Sequence, residues 1–240
     1  MYSNYSPEQL GVRPAVRLSN RFLIDAFVWM FGALIISGIV AYWVANAGTT
    51  TVIDVVNLRF PLFIAQLGLG LGLQMGIRKI NATLALGLFF LYAALMGLTI
   101  GVWVWYYAIE SENAAAVYEA FFSAAAAFGG AAIYGAVTGR SLASMGSYLF
   151  MAAWGLFFAF LINGLIFQSS GMDLVLSIVG VVVFTVLAAW TTQRISRGEF
   201  AAMTGSMEKA SVLGAILLYI EFINIFLMLL RIFGGGGGRR

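Results

Sequence analysis

The sequence predicts an all-α integral membrane protein of seven transmembrane helices. Three observations carry this. Of 240 residues, 62% are hydrophobic and only 10% are charged, and the mean hydropathy is +0.95. A soluble domain of this size has no use for so much apolar surface, whereas hydrocarbon accepts it on every face of a helix. The apolar residues also fall into seven long runs, and a bilayer core about 30 Å thick needs roughly 20 residues at 1.5 Å rise each.

The predicted spans are about 22–45, 60–77, 82–109, 115–137, 145–168, 173–193 and 211–233. Three segments follow: an N-terminal tail over 1–21, a seven-helix membrane domain over 22–233, and a flexible Gly/Arg tail over 234–240. Pro61 stands where the second span begins, a position that tolerates proline. The first 20 residues hold Pro14, Arg13 and Arg17 and no apolar run, so the first membrane helix is expected to direct insertion.

Lys and Arg set the expected orientation. Arg13, Arg17, Arg21, Arg78, Lys79, Arg140, Arg194, Arg197 and Lys209 fall on one side. Arg59, Arg231, Arg239 and Arg240 fall on the other, where Glu110, Glu112 and Glu119 mark the third connection. The expectation is a cytoplasmic N-terminus and an external C-terminus. Trp29, Trp43, Trp103, Trp105, Tyr106 and Tyr107 read as anchors at the membrane interface.

Small residues recur every fourth position in two spans, at Gly68, Gly72 and Gly76, and at Ser123, Ala127, Ala131, Gly135 and Gly139. Each set shares one helix face and predicts close helix packing. A phosphate-cradling loop is excluded, because these glycines lie inside spans and lack the required spacing.

Chemistry is bounded by what is missing. Without histidine or cysteine there is no imidazole base, thiolate nucleophile or disulfide. No protease motif occurs, so no enzyme activity and no cofactor are expected. The bases cluster at span ends and the aromatics in lipid, so no nucleic-acid partner is expected either.

Nine of the ten acidic residues lie in connections or near span ends. Glu221 alone falls mid-span, and an ionised carboxylate there costs several kcal/mol unless it is protonated, paired or wetted. Asn224, three residues on, shares its face. Asn163, Thr185, Thr191, Thr192 and Gln193 are candidate partners, although neutral polar residues are ordinary interhelical contacts.

Several runs together resemble the bacterial inner-membrane proteins of the Bax inhibitor-1 family, over about Val12 to Phe233. They are Ala65-Gln66-Leu67, Leu91-Tyr92-Ala93-Ala94-Leu95-Met96-Gly97-Leu98-Thr99, Tyr134-Gly135 with Thr138 and Arg140, and Ser147-Tyr148-Leu149-Phe150-Met151. Leu187-Ala188-Ala189-Trp190-Thr191-Thr192-Gln193 and the long run from Leu218 to Phe233 complete the set. The resemblance implies a central seventh helix surrounded by the other six, in a bacterial cytoplasmic (inner) membrane. It also implies a cation leak, chiefly of calcium, controlled by two aspartates on the sixth and seventh helices that share a proton. Other members modulate a membrane-anchored ATP-dependent protease.

The chain departs from that pair. The family's usual Tyr-Asp-Thr-Gln reads Trp190-Thr191-Thr192-Gln193, so a threonine stands where the first aspartate would be, and Glu221 replaces the second. A threonine donates a hydrogen bond to a carboxylate but shares no titrating proton with it. Gly139 and Ser141 likewise stand where a lysine and an aspartate are common. Two functions stay open. One is a cation leak with an altered pH-sensing site, using Glu221, Asn224 and Thr191 as the proton site or ion path. The other is a non-conducting accessory subunit of a larger membrane complex or membrane-anchored protease.

The orientation is testable. In intact cells, an impermeant thiol reagent should label a cysteine at Glu112 and leave Ser196→Cys unlabelled. The reverse pattern would invert the topology.

Overall fold

The computed structural model describes residues 16–235, with side chains from residue 23 onward. Of the tails assigned to 1–21 and 234–240, residues 1–15 and 236–240 lie outside the described residues, and the rest continue α1 and α9 as helix. Among the described residues there are nine α-helices and no strand. They are α1 Val16–Asn46, α2 Thr49–Asn57, α3 Arg59–Gly76, α4 Ala82–Trp105, α5 Ala114–Val137, α6 Gly146–Ile162, α7 Ser170–Ser196, α8 Glu199–Thr204 and α9 Met207–Gly235. Single π-helical turns, Tyr106–Glu110 and Asn163–Phe167, extend α4 and α6.

Local chemistry marks the ends. Side-chain oxygens of Asn81, Asn113 and Ser169 accept the backbone N–H of Leu84, Ala116 and Met172, capping α4, α5 and α7. Gly198 and Gly205 take φ of 71° and 67° on either side of α8, a backbone that other residues adopt at a cost.

Six helices are long and apolar enough to cross a membrane, and α2 with α3 form a pair bent by 62° that brings the number to seven when the two count as one span. The expected spans match these elements closely. The difference lies between 46 and 59, where the pattern predicts only a connection and the structure has α2. Thr and Val are weak helix formers, but Val52 and Val55 are buried against Val44, Leu62, Leu98, Val102 and Trp105. Burial outweighs propensity there. The helix cannot run straight on, because Pro61 has no N–H to offer the Asn57 carbonyl.

α9 is the centre of the bundle. Ala215, Ile216, Leu218, Tyr219 and Ile225 are fully buried, and α1, α4, α5 and α7 lie along it. α3 and α6 complete the ring across a cavity that they line with α9. The connections 77–81, 138–145 and 197–206 meet on one face. Lys209 Nζ there donates to the Arg78 carbonyl at 3.1 Å, and Arg197 to Ser141 Oγ at 3.2 Å. These bases make it the basic face of the bundle.

Glycine allows several close approaches. A Cβ on Gly97 would lie 2.8 Å from the Ser37 carbonyl oxygen, and one on Gly101 2.9 Å from that of Ala41, so α4 packs backbone to backbone on α1. Gly135 meets the Ala189 backbone of α7, where any Cβ would overlap. The two predicted ridges fare differently. In α5 the most buried line is Ala116, Ala120, Ala124, Phe128, Ala132 and Gly135, with Ser123, Ala127 and Ala131 flanking it. Gly139 lies past the helix end with open space around it. In α3 the ridge is wrong, since Gly68 and Gly72 are exposed and Gly68, Gly72 and Gly76 have nothing nearby. That helix instead turns Gly70, Leu73 and Ile77 inward. Spacing identifies a shared face, but a helix apolar all round carries no mark of which face meets protein.

Overpacking a tight contact costs about 1–3 kcal/mol. Gly135→Leu should therefore lower the thermal midpoint in detergent, while Gly72→Leu should not. Equal melting of both would remove the close-packing argument for Gly135.

Candidate functional site

α7 and α9 lie against one another with small residues at both ends of the contact. Gly180 accommodates Met228, and Gly214 accommodates Ile195 and Ala26. This brings polar groups from the two helices together inside their contact. Thr191 Oγ1 donates to Glu221 Oε1 at 2.5 Å, with Thr191 and Glu221 only 1% and 5% exposed.

The other carboxylate oxygen, Oε2, is buried without a partner. So are the hydroxyls of Ser177, Thr185 and Thr192 and the indole N–H of Trp190, all on α7. Around the α7 axis Ser177 falls within about 40° of Thr191, whereas Thr185 and Thr192 lie about 100° or more away from it. Among the described residues no group of three His, Cys, Asp or Glu side chains converges. Glu221 is thus a lone carboxylate bonded to one hydroxyl and able to exchange one proton, but not a preformed metal cage.

The other predicted site residues go elsewhere. Asn224 does not join Glu221. Its amide donates to the Ile220 carbonyl at 2.7 Å, and its side chain lines the cavity toward α3 and α6. Three residues along a helix turn a side chain by about 60°, enough to put Glu221 on α7 and Asn224 on the cavity. Asn163 closes the α6–α7 connection, donating to the Ser169 carbonyl and to Asp173 Oδ1. Gln193 pins the α5–α6 connection, accepting from Leu142 N–H and donating to the Arg140 carbonyl, both at 2.8 Å. Of the five candidate partners, Thr191 alone bonds Glu221.

One polar node is absent from the sequence-based list. Tyr219 is fully buried and its hydroxyl lies 2.6 Å from Ser37 Oγ. Ser37 Oγ is in turn 2.7 Å from the Ala93 carbonyl. With one proton per hydroxyl, Tyr219 donates to Ser37 and Ser37 to Ala93, tying α9 to α1 and α4. Phe89 and Tyr92 meet the Tyr219 ring edge-on at 5.5 and 5.9 Å. The available signal was a serine inside the first span, a hydroxyl that must find a partner in hydrocarbon.

At the basic face, the Arg194 guanidinium lies 4.5 Å from both the Trp190 and Phe200 rings and pairs with Glu199 at 2.8 Å. This joins α8 to α7 at the membrane surface.

A multi-pass helical bundle built around a central helix, with a lone acid bonded across to its neighbour, defines the class of membrane protein. The particular family follows from the sequence: residues 19–238 match the family model described as inhibitor of apoptosis-promoting Bax1. Inner membrane protein YbhL of Escherichia coli K12 is 36% identical over 93% of this chain and 94% of its own length. Uncharacterized proteins of Deinococcus radiodurans and Borreliella burgdorferi are 38% and 34% identical, over 88% and 91% of this chain and 89% and 94% of theirs. The chain belongs to the Bax inhibitor-1 family.

Removing the Tyr219 hydroxyl should cost about 1 kcal/mol. Tyr219→Phe and Ser37→Ala should each lower the thermal midpoint, and the double variant should lose much less than the sum of the two. Strict additivity would mean that the two hydroxyls act independently.

Proposed function

We propose that this protein is a cation leak of a bacterial inner membrane, with its N-terminus cytoplasmic and the Glu221–Thr191 contact as its gate. The observation that carries this reading is the placement of Glu221, a single ionisable acid at the middle of the central helix. It bonds across to α7 through one oxygen while the other is unpaired.

In the packed arrangement the carboxyl is sealed from water and the path is closed. Parting α7 from α9 would free Oε1 from Thr191 and open both the carboxylate and the Thr191 hydroxyl to the gap. Carboxylate and hydroxyl oxygens are the ligands that hard cations such as calcium accept. One carboxylate is a weak, quickly released site, which suits passage more than storage. The YbhL relative is named as an inner membrane protein, which supports the location.

Thr191 in place of a second acid changes the control. A lone carboxyl titrates in one step, whereas two neighbouring acids titrate as a coupled unit. The accessory-subunit reading draws on the same substitution, because a chain that has lost an acid from the pair has less reason to gate on protons.

Cation flux into proteoliposomes across a pH series separates the two readings. Wild-type flux should follow a single-proton curve, Glu221→Gln should abolish the pH response, and Thr191→Asp should convert it to a two-step titration. Absence of wild-type flux, or a pH response unchanged in Glu221→Gln, would overturn the leak and leave a subunit that acts through protein contacts.

A further inference from the structure

Two cavities open on the flank of the bundle around α3 and α6. One, about 460 Å³, follows α9 from Ile220 past Asn224 to Arg231, with Trp154 and Phe157 of α6 on its far wall. The other, about 720 Å³, lies among α2, α3, α4 and the end of α6, and Arg59 stands on its wall. They share Phe63, Phe160 and Leu161 and so form two chambers of one groove. Each falls within the ~300–1,000 Å³ of small-molecule sites. The first chamber extends along three turns of α9, roughly 16 Å at 1.5 Å per residue.

The polar groups of this groove differ in what they leave over. The Gln66 amide nitrogen is 2.8 Å from both the Leu95 carbonyl and Thr99 Oγ1, and the Asn224 amide bonds its own helix. Arg231 is different. Its guanidinium lies 4.7 Å from the centre of the Phe160 ring and 5.3 Å from that of Trp103. Among the described residues it pairs with no carboxylate, and Asp173 acts on it only at longer range. Five N–H donors held on aromatic faces are thus presented at the mouth of the groove. Arg59 opens the same end, since α3 begins where α9 finishes. The cationic end lies near one membrane surface, while the chambers behind it are apolar and aromatic.

We propose that this groove binds an anionic phospholipid, with its phosphate on Arg231 and one acyl chain in each chamber. Charge complementarity selects the head group, and the forked apolar space receives the tails. Arg231 acts as a bidentate phosphate donor, which a neutral side chain cannot replace. The proposal is independent of ion conduction.

The test uses the full-length chain in nanodiscs. Phosphatidylglycerol or phosphatidylcholine carrying brominated acyl chains would be the probe, with quenching of tryptophan fluorescence as the readout, because Trp103 and Trp154 line the chambers. Brominated phosphatidylglycerol should quench at a lower mole fraction than brominated phosphatidylcholine. Arg231→Gln should weaken that preference roughly tenfold or more, the effect of losing a bidentate charge-assisted contact. Arg231→Lys, which keeps the charge but loses the planar fork, should weaken it less than Arg231→Gln, which separates charge from folding. Ala153→Phe, which fills the first chamber, should reduce quenching by both lipids. Equal quenching of the wild type by both lipids would overturn the proposal. So would a preference that survives in Arg231→Gln, or a groove shielded from both lipids by a second copy or another protein.

Discussion

A carboxyl group at the midpoint of a membrane helix cannot face lipid, and the arrangement of the bundle follows from that constraint. Hydrocarbon offers no hydrogen bonds, so the helix that carries Glu221 must be covered by other helices. α9 is accordingly the most enclosed element, with fully buried residues through most of its length. Once α9 is central, α7 must bring a donor to it, and Thr191 is that donor. Tyr219, two residues away, satisfies its own hydroxyl on the other side through Ser37. The central helix is thus held by hydrogen bonds toward α7 and toward α1, and its apolar side chains fill the space between.

Between helices in a bilayer there is little hydrophobic driving force, because lipid tails are as apolar as leucine. Close contact must supply the attraction instead. Gly97 and Gly101 bring α4 onto α1, Gly135 brings α5 onto α7, and Gly180 and Gly214 serve the contact between α7 and α9. Each lets backbone or a bulky neighbour approach where a methyl group would collide. The α3–α6 side lacks such contacts with α9, and there the groove remains. Tight packing on one side and a groove on the other let a single fold combine a rigid core with a face open to amphiphiles.

The Thr191–Glu221 pair links the structure to the proposed leak. A threonine donor settles one carboxylate oxygen and leaves the other free, so the contact holds α7 to α9 without saturating the acid. Two acids in the same place would share a proton and change state as a unit. A threonine there makes a cross-helix bond without adding a second titrating group. Asn224 contributes to the groove and not to this pair, so the polar stripe of α9 divides between two environments.

By itself the sequence determined the class of fold and located its long apolar helices. Apolar runs of bilayer length leave a chain few alternatives to spanning helices. It also singled out Glu221, since an acid inside hydrocarbon is conspicuous in any run of letters, and the family resemblance pointed to Thr191 as its partner. Rotation of each helix about its axis was decided only by the tertiary structure. In soluble helices a polar face marks the outside, but here both faces are apolar, so Gly68 and Gly72 could not be told from Gly70 before the helices were packed. The same reason hid α2, whose helix depends on burying Val52 and Val55 against distant residues, and the Tyr219–Ser37 bond, which joins positions far apart in the chain. Period and composition act locally, whereas the direction in which a side chain points within a bundle is set by what the other helices leave unfilled.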